Sequence, residues 1–131
     1  MISVPKKILY ADDDMDDREL IEEALYQVDK DLIRVGAASG TEALELLESP
    51  VTENLSLILL DFNMPDLTGA QICEKISPMP RYRNIPRIIW STSSSSLYRH
   101  ISEISGATHY FQKPDTFDKI VELMRYILSL G

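Results

Sequence analysis

The sequence predicts an α/β domain: a five-stranded parallel sheet with helices on both faces. Short β-type runs alternate strictly with helical patterns along the whole chain, which calls for parallel strands joined by helical crossovers. The runs that begin at Ile8, Leu57 and Ile88 lack polar alternation, as strands buried on both faces must. The runs LIRV and HYFQ carry polar interruptions and suit the edges of the sheet.

The elements follow in order. The first strand is expected at 6–11 (KKILYA), and Leu20, Ile21, Ala24, Leu25 and Val28 mark the apolar face of the helix after it. A second strand at 32–37 leads to a helix from Thr41 to Leu47 with Ala43, Leu44 and Leu47 inward, capped by Ser39 or Thr41. The third strand, 56–61 (SLILLD), precedes a helix from Ala70 to Ile76 capped by Thr68. The fourth strand, 86–91, precedes a weaker helix from Leu97 to Ile104. The fifth, 108–112, precedes the clearest helix, on which Phe117, Ile120, Val121, Met124, Ile127 and Leu128 repeat at helical spacing after a cap at Asp115 or Thr116. Segments 49–55 and 77–86 read as long loops, and Ser93–Ser96 as a loop leading into a helix. Central first and third strands with the second at an edge give the order 2-1-3-4-5, the flavodoxin-like doubly wound arrangement with five helices. Such sheets place their ligand site beyond the carboxyl ends of the strands, where the strand order switches.

Composition narrows the function classes. A chain of 131 residues, 44% hydrophobic and 26% charged, is expected to form one domain spanning 1–131, with no output segment. A net charge of −8 repels phosphate backbones and anionic lipid, so neither nucleic acid nor a membrane is an expected partner. No apolar run approaches the roughly 20 residues of a bilayer span, the N-terminus lacks an apolar signal segment, and Cys73 is the single cysteine, so a cytoplasmic location is expected. Met64 and Met79 read as packing residues, and His100 and His109 as isolated polar positions.

The chemistry gathers at the strand ends. The first strand runs into Asp12, Asp13 and Asp14, and the third ends in Asp61. Neighbouring strands lie about 4.8 Å apart, so Asp12 or Asp13 must approach Asp61. Two carboxylates about 5 Å apart repel by roughly 3 kcal/mol at an effective dielectric near 20. Protons or a cation must relieve that repulsion, and at neutral pH a hard divalent ion such as Mg²⁺ suits oxygen ligands. Asp14, Asp16 and Asp17 read instead as a solvated first turn favoured by the helix dipole. Ser91 ends the fourth strand, and Lys113 follows the fifth at two strand spacings, roughly 10 Å, from Asp61. Lysine is long and flexible enough to span that gap. Positive charge thus reaches Asp61 from two sides, which suits in-line attack of a carboxylate on a phosphoryl group.

These residues resemble the receiver domain of two-component response regulators, over essentially the whole chain. The carriers are the acid pair in ILYADDD, the context LLDFNMPDLTG, the hydroxyl in IPRIIWSTS and the segment GATHYFQKP. The resemblance implies that Asp61 is the phosphoacceptor, that Asp12 and Asp13 bind Mg²⁺ with Asp61, and that Asn63 lends its backbone carbonyl. It implies further that Ser91, the Thr92 backbone N–H and Lys113 bind the phosphate. Pro65 and Gly69 would shape the phosphorylated turn, and Lys113–Pro114 would be cis. Ser91 and Tyr110 would form the switch, with Tyr110 rotating inward on phosphorylation. The implied partners are a sensor histidine kinase or histidine phosphotransfer protein, and an unknown downstream protein target. Any surplus apolar surface on the last helix leaves a homodimer open. DDDMDDREL and the loop bearing RYRNIP look most like stand-alone, chemotaxis-regulator-like receivers, including those paired with phytochrome-type sensor kinases.

The chain departs from the family pattern in Ser91, where threonine is commoner, and in Trp90, a bulky residue expected to crowd its face of the sheet. Two other readings stay open at this level. One is a non-phosphorylated pseudo-receiver acting as an interaction module. The other is a small phosphatase with an aspartate nucleophile, although such enzymes need a second acid where this chain has Asn63. On the receiver reading the chain is not an enzyme, only a phosphoacceptor that dephosphorylates slowly.

Overall fold

The computed structural model describes residues 5–131. Its sheet has five parallel strands in the order β2-β1-β3-β4-β5, as the apolar runs predict. The strands are β1 (Lys7–Ala11), β2 (Ile33–Ala37), β3 (Leu57–Asp61), β4 (Arg87–Ser91) and β5 (His109–Gln112). Each starts one residue later than the sequence suggests. The helices are α1 (Met15–Val28), α2 (Gly40–Leu47), α3 (Gly69–Ile76), α4 (Ser96–Ile104) and α5 (Phe117–Leu130). Helices α1 and α5 cover one face, where Ile8, Tyr10, Leu57, Leu59, Ile88 and Trp90 meet Ile21, Leu25, Met124 and Ile127. Helices α2, α3 and α4 cover the other, over Leu9, Ile58, Leu60 and Ile89. Both central strands are wholly buried beyond their first residue, which explains their unbroken apolar runs.

The helix starts are fixed by side chains that accept the free backbone N–H groups of each first turn. Asp14 caps α1 through the Asp16 and Asp17 N–H groups, and Ser39 rather than Thr41 caps α2. Thr68 and Gln71 form a reciprocal capping box on α3, and Thr116 rather than Asp115 caps α5. The β3–α3 segment adds a further clasp, because the Asp66 carboxylate accepts the N–H groups of Gly40 (3.0 Å) and Thr41 (2.8 Å) at the start of α2. Hydrogen bonding from Thr41 and Gly40 holds that carboxyl well below its usual range.

The segments read as long loops are partly ordered into single 3-10 turns, Pro50–Thr52 and Pro80–Tyr82. They lock together because the Tyr82 side chain is fully buried, its hydroxyl donating to the Leu47 carbonyl and pairing with Thr52 Oγ1 at 3.0 Å. A second expectation is corrected at Pro114. Among the described residues no peptide bond is cis, so Lys113–Pro114 is trans, the intrinsically favoured isomer even for proline. Among the described residues no helix is long and apolar enough to cross a membrane.

Candidate functional site

Strand parity places the acids. On β1, Ile8 and Tyr10 face α1 and α5, and Asp12 continues that alternation one step past the strand end. On β3, Leu57 and Leu59 face the same way, so Asp61 does too. Ala11 pairs with Leu60 in the register, which brings Asp12 alongside Asp61. The result is a cluster in which one carboxylate oxygen each from Asp12, Asp13 and Asp61 lies within 4.8 Å of the others. Asp12 and Asp61 are buried and Asp13 is exposed.

Lys113 reaches into the same corner. Its backbone N–H donates to the Ser91 carbonyl (2.7 Å), which fixes the chain beyond β5 against β4. From there its ammonium lies 2.8 Å from Asp12, 3.1 Å from Asp17 and 3.4 Å from Asp61. It also stands 5.3 Å from the centroid of the Trp90 ring. Trp90 does not disturb the sheet. It is buried in the α1/α5 core, with its indole Nε1 buried and unpartnered among the described residues.

The electrostatics follow from burial and crowding. Burial pushes the Asp61 carboxyl up to about 6; Lys113 pulls against that and Asp12 adds to it. Burial also raises Asp12, against hydrogen bonds from Lys113 and the Asp14 N–H. For Lys113, burial favours the neutral amine, but hydrogen bonding to Asp12 and the charges of Asp61 and Asp12 outweigh it, and the net shift is upward. One ammonium therefore serves three carboxylates and leaves a deficit of positive charge. An all-oxygen donor set with that deficit fits a hard divalent cation held by Asp12, Asp13 and Asp61.

Of the remaining expected residues, Asn63 contacts Asp61 directly, whereas Thr92 and Tyr110 make their hydrogen bonds to Gln112 and Ser93. The Asn63 N–H donates to Asp61 Oδ1 (3.3 Å), and its side-chain amide donates to Ser91 Oγ (3.4 Å). Ser91 is fully buried, and its hydroxyl also accepts the Ser93 N–H at 3.1 Å. Thr92 is exposed, and its carbonyl accepts from Gln112. Gly69 lets α3 approach Asp61, since a Cβ there would stand 2.7 Å from the Asp61 carbonyl oxygen. The Tyr110 ring is buried, its hydroxyl donates to the Ser93 carbonyl (2.9 Å), and Arg99 lies 5.1 Å from its centroid. The burial of an aromatic ring favours this position.

Asp17 is the residue that sequence reading misplaced. It is not only part of a solvated turn, because its carboxylate pairs with Lys113. The signal was present: the inward stripe Ile21, Ala24, Leu25, Val28, continued one turn back, lands on Asp17.

Comparison with known proteins agrees with this geometry. The chain is 30% identical over 127 residues to an uncharacterized transcriptional regulatory protein, YrkP, of Bacillus subtilis, covering 93% of this chain and 51% of that protein. It is 26% identical to a chemotaxis protein CheY homolog of Campylobacter jejuni, covering 95% of this chain and 94% of that one. Among solved structures, a phosphorylated cyanobacterial phytochrome response regulator, RcpA, superposes with a TM-score of 0.85 at 26% identity, covering 95% of this chain and 91% of that one. The family model for the response regulator receiver domain matches residues 8–125, from within β1 into α5 and including the acids at the strand ends, and the chain belongs to that family.

Proposed function

We propose that the protein is a phosphoacceptor: Asp61 takes a phosphoryl group from a phosphohistidine on a sensor kinase or phosphotransfer protein, and the modified domain signals through a changed surface. The carrying observation is the convergence on Asp61 of the Asp12 and Asp13 carboxylates, within 4.8 Å, and of the Lys113 ammonium, at 3.4 Å. A CheY homolog and a phosphorylated phytochrome response regulator among the similar proteins support the reading.

An Asp61 carboxylate oxygen attacks phosphorus as the donor's P–N bond breaks, and the departing imidazole nitrogen keeps the electron pair. Mg²⁺ bound by Asp12, Asp13, Asp61 and the Asn63 carbonyl would neutralise charge on the transferring oxygens. Lys113 offers an ammonium 3.4 Å from Asp61, and the Ser91 hydroxyl and Thr92 N–H are the further donors assigned to the phosphoryl oxygens. Attack of water on phosphorus later restores the carboxylate and releases inorganic phosphate. Burial of Asp61 limits that attack. Asn63 presents an amide, which cannot act as the general acid that a multiple-turnover phosphatase of this kind requires.

Incubation with acetyl phosphate, with and without Mg²⁺, followed by intact mass measurement tests the proposal. One Mg²⁺-dependent, alkali-labile phosphate per chain, absent in Asp61→Asn, is the expected result. Rapid turnover of varied phosphate esters would establish the enzyme instead, and no adduct would establish the pseudo-receiver.

A further inference from the structure

Lys113 is held by a carboxylate that the phosphoacceptor reading does not use. Of its three partners, Asp12 and Asp61 belong to the acidic cluster, whereas Asp17 sits in the first turn of α1 outside that cluster. Its contact, 3.1 Å, is shorter than the 3.4 Å contact to Asp61. The local backbone makes this placement firm. Asp14 caps the Asp16 and Asp17 N–H groups, so the turn that carries Asp17 is pinned at its base. Arg18 anchors the same turn to β1 by donating to the Asp12 carbonyl at 2.9 Å.

We infer that Asp17 is a positioning residue that draws the Lys113 ammonium toward α1 and so lowers the affinity of the site for a phosphoryl group on Asp61. The inference rests on the phosphoacceptor reading and adds to it a residue that sets how readily the modified state forms. Occupation of the acidic cluster by a divalent cation engages Asp12 and loosens its hold on Lys113. Asp17 is then the partner that still competes with phosphoryl oxygens for the ammonium. Because Asp17 is partly exposed, its pull is screened by water and salt, and the effect is graded rather than absolute.

Trp90 supplies a readout. It is the only tryptophan in the chain, it is buried, and the ammonium lies 5.3 Å from its ring centroid, so movement of Lys113 alters the charge beside the indole. Beryllofluoride, a tetrahedral phosphoryl mimic, is titrated with Mg²⁺ into the wild type, Asp17→Asn, Asp17→Glu and Asp16→Asn. Affinity is measured by calorimetry and Lys113 position by Trp90 emission. Asp16→Asn is the charge-matched control, since Asp16 is an exposed neighbour that is not among the carboxylates on Lys113.

The expected result is a gain in beryllofluoride affinity of about 3- to 5-fold for Asp17→Asn, against less than about 2-fold for Asp16→Asn, the size of screened pair effects. The emission of free Asp17→Asn shifts part of the way toward that of the liganded wild type, and Asp17→Glu restores wild-type behaviour. Equal affinities and emission in Asp17→Asn and Asp16→Asn, or a weaker affinity in Asp17→Asn, would overturn the inference and leave the phosphoacceptor reading standing. A wild type that binds no beryllofluoride would instead overturn that reading, and the inference with it.

Discussion

Phe62 and Tyr98 stack face to face, with ring centroids 4.3 Å apart and planes 11° from parallel. Phe62 directly follows Asp61, and Tyr98 lies in the first turn of α4, so the stack ties the segment after β3 to that helix. The Phe62 N–H donates to the Trp90 carbonyl (2.9 Å), and its own carbonyl accepts the Gly69 N–H (3.2 Å), so this segment is also bound to β4 and α3. Tyr98→Ala is expected to cost about 1–3 kcal/mol from lost stacking and burial. It is also expected to raise amide exchange in α4 without changing the stoichiometry of labelling at Asp61. Unchanged exchange in α4 would show that the stack carries no restraint.

Gly69 governs a second approach. An added Cβ would lie 2.7 Å from the Asp61 carbonyl oxygen and 3.2 Å from Leu60 Cβ, both parts of a buried strand that cannot yield. Gly69→Ala is therefore expected to destabilise by about 1–3 kcal/mol through overpacking. By shifting Asp61 it should also slow phosphorylation by about tenfold or more. Chemical denaturation together with the rate of acetyl phosphate labelling checks both effects.

The sheet was legible because buried parallel strands need continuous apolar runs, and because edge strands tolerate residues such as Arg34 and His109. Once the strand order is known, parity and register bring Asp12, Asp61 and the end of β5 to one corner. Other features depend on quantities that periodicity does not encode. The reach of Lys113 to Asp17 depends on how α1 lies against β5 and on one side chain's path. The burial of Tyr82 depends on two loops folding back on each other, and the inward ring of Tyr110 is a rotamer. The trans bond at Lys113–Pro114 reflects a small energy difference that no local pattern announces.

The Tyr82 plug lies away from the acidic corner, under the 3-10 turns, which makes it a test of separability. Tyr82→Phe removes the hydroxyl that donates to the Leu47 carbonyl and pairs with Thr52, in a fully buried setting. The expected loss is about 1–2 kcal/mol of stability. The rate and extent of labelling at Asp61 should match the wild type. A labelling defect larger than the loss of folded protein would show that these loops communicate with the site.

Asp61 ties stability to pH with a definite sign. Its folded carboxyl is raised to about 6 by burial, against an ordinary value of about 4, and Asp12 is shifted the same way. Between those values the folded chain binds more protons than the unfolded chain, so stability falls as pH rises through the window. A shift of about 2 units corresponds to at most about 3 kcal/mol. In metal-free protein, Asp61→Asn is thus expected to be more stable than the wild type by about 1–3 kcal/mol at pH 8. The difference should vanish below about pH 4, where the wild-type carboxyl is also neutral. Mg²⁺ should close the gap from the other side, because an ion that binds only the folded state at 100 times its Kd adds about 2.7 kcal/mol. The variant, lacking one carboxylate of the cluster, should gain less. Calorimetric Tm values across this range, in chelator and in Mg²⁺, decide the matter. A metal-free wild type more stable than Asp61→Asn at pH 8 would mean that Lys113 more than compensates the buried charge.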